Sequence, residues 1–125
     1  MEKVATASAR IKEAMEDAGK KAADIVEATG IPKSTMSRYL SGAYEPKSEA
    51  AYKIAQYLGV AEMWLLGYDV PRERTAVQKK NDAIVDVVTK LRSDPEFFEV
   101  VTALAELSPA EYASIKQIIS ALGRK

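Results

Sequence analysis

Apolar residues recur along the chain at spacings of three and four, and no stretch alternates with period two, so the pattern predicts helices and no strands. Residues 4–18 carry Val4, Ala7, Ile11, Ala14, Met15 and Ala18 in this rhythm and end at Gly19. Residues 21–29 (KAADIVEAT) form a shorter second helix with Ala22, Ile25, Val26 and Ala28 available for burial. Gly30 stops it by taking a left-handed conformation that a side chain would resist. Pro32, with its fixed φ, suits the first position of a third helix that runs to about Ser41 before Gly42. Pro46 and Ser48 open a fourth, SEAAYKIAQYL, whose Ala51, Ile54, Ala55 and Leu58 share one side and which Gly59 closes. A short fifth turn, AEMWLL, ends at Gly67.

Residues 70–80 break the rhythm. Pro71 and a cluster of charges read as a linker between a first domain, residues 1–69, and a tail, residues 81–125. The tail holds three further helices. Asn81 or Asp82 can cap AIVDVVTKLR, and Asp94-Pro95-Glu96 starts EFFEVVTALAEL. Ser108-Pro109-Ala110-Glu111 has capping-box spacing ahead of AEYASIKQIISAL. About forty residues cannot bury this much apolar area alone. Val88, Leu91, Phe97, Phe98, Val101, Leu104, Ile115, Ile118, Ile119 and Leu122 are therefore expected to pack on the first domain or, preferably, on a second chain. The tail is read as a helical oligomerisation region.

Composition narrows the chemistry. At 125 residues, 47% of them hydrophobic and 29% charged, the chain has the profile of a soluble protein with one compact unit and an appendage. No secretory segment or membrane span is evident, so a cytoplasmic location is expected. Cys and His are both absent, which removes disulfides, thiolate zinc sites, the cysteine nucleophile and the commonest general base. Nothing gathers the remaining Asp, Glu, Lys and Ser into a catalytic pair, and Glu13, Glu16 and Asp17 read as a solvated helix face. No enzyme, cofactor or metal is expected. Asp82, Asp86 and Lys90, at four-residue spacing, read as surface pairing on one helix. Trp64, beside Leu65 and Leu66, reads as core, and Tyr52 and Tyr57 as packing residues with hydroxyls at the surface.

The third helix is the exception to blandness. Lys33, Ser34, Ser37, Arg38 and Ser41 fall on one side, with Met36, Tyr39 and Leu40 turned away from it. Taken alone, nine such residues would be a solvated face. Slim hydroxyls and two long cations also suit the DNA major groove, which admits one helix and presents acceptors to Lys and Arg. Helix 21–29, the break at Gly30-Ile31-Pro32 and helix 33–41 together form a helix-turn-helix arrangement. Through ADIVEATGIPKSTMSRYLSG, the YEP turn, AYKIAQYLGV and WLLGYD, roughly residues 8–69 resemble the Cro/CI-type (XRE-type) helix-turn-helix family of phage repressors and bacterial transcriptional regulators.

That resemblance implies an all-α, five-helix domain that binds double-stranded DNA as a symmetric dimer. It assigns base contacts to Lys33 and Ser34, base or flanking contacts to Ser37 and Arg38, and phosphate contacts to Ser41, Tyr44 and Lys47. Where the family often carries Gln at the start of its second helix, this chain has Ala22, and Lys20 or Lys21 is the candidate phosphate contact instead. Charge argues the other way. The chain is formally neutral, and residues 1–70 hold nine Lys+Arg against ten Asp+Glu. Affinity from phosphate neutralisation should therefore be modest and salt-sensitive per subunit, making dimerisation necessary. The tail is too short and helical for the self-cleaving peptidase that some relatives carry. Relief of binding would fall to a ligand, proteolysis by another protein, or a partner such as an anti-repressor. The alternatives are an antitoxin whose tail holds a toxin, and a helix-turn-helix fold serving as a protein-interaction module.

Overall fold

The computed structural model describes residues 2–123, whose regular secondary structure is helical, with two isolated backbone bridges, Lys3–Tyr68 and Val60–Glu73. The helices are α1 (Ala7–Ala18), α2 (Ala22–Thr29), α3 (Lys33–Ser41), α4 (Ser48–Leu58), α5 (Glu62–Leu65), α6 (Ala76–Ser93), α7 (Pro95–Ala105) and α8 (Pro109–Ala121). The chain divides into two compact units, one reaching Asp82 and the other starting at Ala83.

In the first unit, α1 begins three residues later than its apolar spacing predicts. Thr6 caps it, its Oγ1 accepting from the Ala9 N–H at 3.1 Å. The N–H groups of Val4 and Ala5 instead donate to the Gly67 carbonyl at 2.8 and 3.2 Å, so Val4 leaves the buried stripe and lies exposed. The turn between α2 and α3 follows expectation at Gly30, whose φ of 75° carries the chain out of α2. Pro32 sits one residue earlier than expected, at the N-cap of α3 and not within its first turn. Ile11 and Ala14 of α1, Ile25 of α2, Met36 of α3, Ile54 of α4 and Leu65 of α5 meet in a single core, with Pro46 buried at the entrance to α4. The four residues expected on the buried side of α4 are all buried there.

Trp64 belongs to that core at 7% exposure. Two guanidinium groups lie on its indole, Arg10 at 4.5 Å and Arg72 at 4.8 Å from the ring centroid. Arg10 also donates to the Trp64 carbonyl at 2.9 Å, and Arg72 is paired with Glu13 and Asp17.

The expected linker, residues 70–80, is held down over much of its length. The Ala61 N–H donates to the Arg72 carbonyl at 2.7 Å. Arg74 is buried, donating from Nε and Nη2 to the two oxygens of Asp82 at 2.8 and 2.6 Å and from Nη1 to the Val60 carbonyl at 2.9 Å. The Tyr52 hydroxyl donates to Asp82 at 3.1 Å and so is not a surface group. Nor does Asp82 cap a helix or pair along its own face. α6 starts earlier, where Thr75 and Gln78 satisfy each other's backbone N–H groups at 3.1 and 2.7 Å. Lys90, the other end of the expected surface pairing, places its Nζ 4.6 Å from the Phe97 ring centroid.

The helix starts of the second unit follow their caps. Asp94 accepts from the Phe97 N–H at 3.0 Å with Pro95 at the first helical position. Ser108 and Glu111 complete the capping box, the Ser108 N–H donating to Glu111 at 3.0 Å and the Glu111 N–H to Ser108 at 3.2 Å. These bonds hold the Glu111 carboxyl below its ordinary value, the Ser108 backbone N–H first and its side chain second. No residue described in α6, α7 or α8 is buried.

Candidate nucleic-acid interface

The polar face of α3 is a product of how the helix is seated. Met36 is buried and Tyr39 and Leu40 pack partly against the core, which fixes the rotation of the helix about its axis. With a period of 3.6 residues, that rotation turns the opposite side out. Lys33, Ser34, Ser37, Arg38 and Ser41 are all exposed. The structure thus brings together the residues grouped from their spacing, and presents them to solvent as one surface.

The flanking candidates are arranged around it. Tyr44 is exposed, its N–H donating to the Arg38 carbonyl at 3.3 Å and its ring centroid 5.3 Å from the Arg38 guanidinium. That contact steadies Arg38 without consuming its hydrogen-bond donors. The Ser41 hydroxyl is partly occupied, donating to the Arg38 carbonyl at 3.1 Å and accepting from the Ala43 N–H at 3.3 Å, so it also shapes the turn. Lys47 is exposed at the N-cap of α4, and Lys21 is exposed at the N-cap of α2. Lys20 has its Nζ 5.7 Å from the Tyr57 ring centroid.

The charge objection softens once pairing is considered. None of Lys21, Lys33, Arg38 and Lys47 forms an ion pair with another described residue. Many of the unit's acids, by contrast, are engaged. Glu13 and Asp17 hold Arg72, Glu49 holds Lys53, Glu62 lies 3.5 Å from Arg74, and Asp24 accepts from the Lys21 N–H at 2.8 Å. Glu45, beside Tyr44, is ion-paired with Lys3.

Between α2 and α3 runs an open groove of about 410 Å³ with an apolar floor that includes Ala22, Val26, Met36 and Leu40, bordered by Lys33 and Ser37. Ala22 leaves this space unfilled, and no side chain at that position braces α3. Two contributors escaped the sequence reading. Lys3 lies 42 residues from Glu45 and carried no local signal. Arg74 sits in a charge cluster that resembles a solvated segment.

This geometry coincides with a family assignment. Residues 7–63 match the family model described as a helix-turn-helix domain. The chain carries a helix-turn-helix domain. The match spans α1 to α4 and ends within α5, and it agrees with the resemblance to Cro/CI-type proteins. No curated protein matches the chain. The domain points to a DNA-binding regulator, with α2 and α3 as the paired helices of the motif. No helix among the described residues is long and apolar enough to cross a membrane.

Proposed function

We propose that the chain is a sequence-specific transcriptional repressor that binds a palindromic operator as a dimer and excludes polymerase from promoter DNA. The observation that carries the proposal is the α3 surface, where Lys33, Ser34, Ser37 and Arg38 are exposed together and both cations lack an ion-pair partner among the described residues. In this reading α3 lies in the major groove, where Lys33 and Arg38 meet acceptors on guanine and the two serines meet either donors or acceptors. Lys21, Ser41, Tyr44 and Lys47 contact phosphates and set the register. Two copies, joined through the apolar side chains of α6, α7 and α8, would space their α3 helices about 34 Å apart, one DNA turn.

Those exposed apolar side chains, Ile118, Ile119 and Leu122 among them, equally support an antitoxin reading, in which the tail holds a toxin and the α3 surface keeps its role. Selection of bound sequences from a random duplex pool tests the proposal. The expected outcome is enrichment of a palindrome, lost in Lys33→Ala with Arg38→Ala while helical circular dichroism and melting temperature stay near those of the parent. A double mutant that still shifts the selected DNA would show that α3 is not the reading helix. Enrichment of a single, non-palindromic half-site would remove the dimer.

A further inference from the structure

Lys3 lies outside the matched domain, yet the chain invests several contacts in fixing it. Val4 and Ala5 donate to the Gly67 carbonyl, the Asp69 N–H donates to the Glu2 carbonyl at 3.2 Å, and Lys3 itself forms a backbone bridge with Tyr68. Gly67 permits this approach, because a Cβ there would run into the Ala5 carbonyl. The Lys3 side chain then passes the Tyr68 ring, with Nζ 5.6 Å from its centroid, and ends on the Glu45 carboxylate. Lys3, Glu45, Ser41 and Tyr44 line one polar cleft, of about 560 Å³.

Both partners are substantially exposed, at 39% and 54% of the side chain, and exposed pairs contribute little to folding stability. Their location matters more. Glu45 falls between Tyr44 and Lys47, two of the proposed phosphate contacts, where a free carboxylate would repel the DNA backbone. We infer that Lys3 is a positioning residue for DNA binding: it neutralises Glu45 and so makes the cleft between the N-terminal segment and the turn after α3 acceptable to phosphate. This rests on the DNA-binding reading above and extends it to a residue that need not touch DNA.

A unit charge about 5 Å from a phosphate in water-like surroundings changes affinity on the order of fourfold. Lys3→Ala should therefore bind the selected operator about fourfold more weakly at low salt, with unchanged circular dichroism, since the strap is held by backbone bonds. Adding Glu45→Gln to Lys3→Ala should restore the parent affinity and the parent slope of log affinity against log salt. Glu45→Gln alone should bind at least as tightly as the parent. If Lys3→Ala binds like the parent, the inference fails. If the double variant stays weak, with a slope smaller in magnitude by about one, Lys3 contacts phosphate directly and the inference also fails. Should the parent chain select no DNA, the underlying reading falls first, and that result is distinct from either of the others.

Discussion

Gly67 adopts φ 102° with the Ala5 carbonyl packed against its Cα, so Gly67→Ala meets both a strained backbone and a backbone clash. We expect a loss of about 3 kcal/mol and a melting temperature lower by about 10 °C or more, measured by thermal denaturation of the full chain. Arg74 and Asp82 make the other sensitive site. Asp82→Ala would strip the buried Arg74 guanidinium of its two-oxygen partner, leaving only Glu62 at 3.5 Å and the Val60 carbonyl, and should cost about 3 kcal/mol, whereas Lys53→Ala, in an exposed pair with Glu49, should cost under about 1 kcal/mol. Glu111 sets a pH response. Its carboxyl is held below its ordinary value by Ser108, so the bonds at the start of α8 are fully present above the unfolded value. They are lost as pH falls through the folded one. An NMR titration should show the Glu111 side chain protonating later on acidification in the full chain than in its Ser108→Ala variant.

The helices differ in how plainly the sequence announced them, and the reasons are physical. α4 was legible because Ala51, Ile54, Ala55 and Leu58 satisfy the helical period and Gly59 ends it. α7 and α8 were legible through Asp94-Pro95 and Ser108-x-x-Glu111, whose caps act within four residues of chain. The start of α6 was equally local, since Thr75-x-x-Gln78 is a capping box, but Pro71 and the surrounding charges pointed to a linker. The α3 face was legible because its burial and exposure follow from one rotation. Lys3 with Glu45, and Tyr52 with Asp82, were not, since pairs 42 and 30 residues apart leave no periodic trace. The boundary affects truncation. A chain ending at Asp82 keeps Arg74 on Val60 and Asp82, and should fold and sediment as a monomer. One ending at Tyr68 loses Arg72 and Arg74 together and should melt well below it. If the chain ending at Asp82 keeps the same number of subunits as the full chain, the part of α6 beyond Asp82, α7 and α8 are not the assembly surface.

At the scale of the whole molecule, 18 basic and 18 acidic residues cancel, so attraction to DNA depends on local placement and not on overall charge. If Lys21 and Lys47 are the cations on phosphate and the proposed dimer forms, about four phosphates are neutralised, and log affinity should fall with log salt at a slope near −4. A slope near −10 would mean that many more cations reach the backbone than α3 and its flanks provide. Trp64 offers a way to watch the two units separately. It is the chain's single tryptophan, and its indole is buried under two guanidinium groups in the first unit. Its emission therefore monitors unfolding of the first unit, whereas far-ultraviolet dichroism records every helix. Melts followed by the two signals should coincide if the halves unfold cooperatively, and any gap between their midpoints measures how far each half stands on its own.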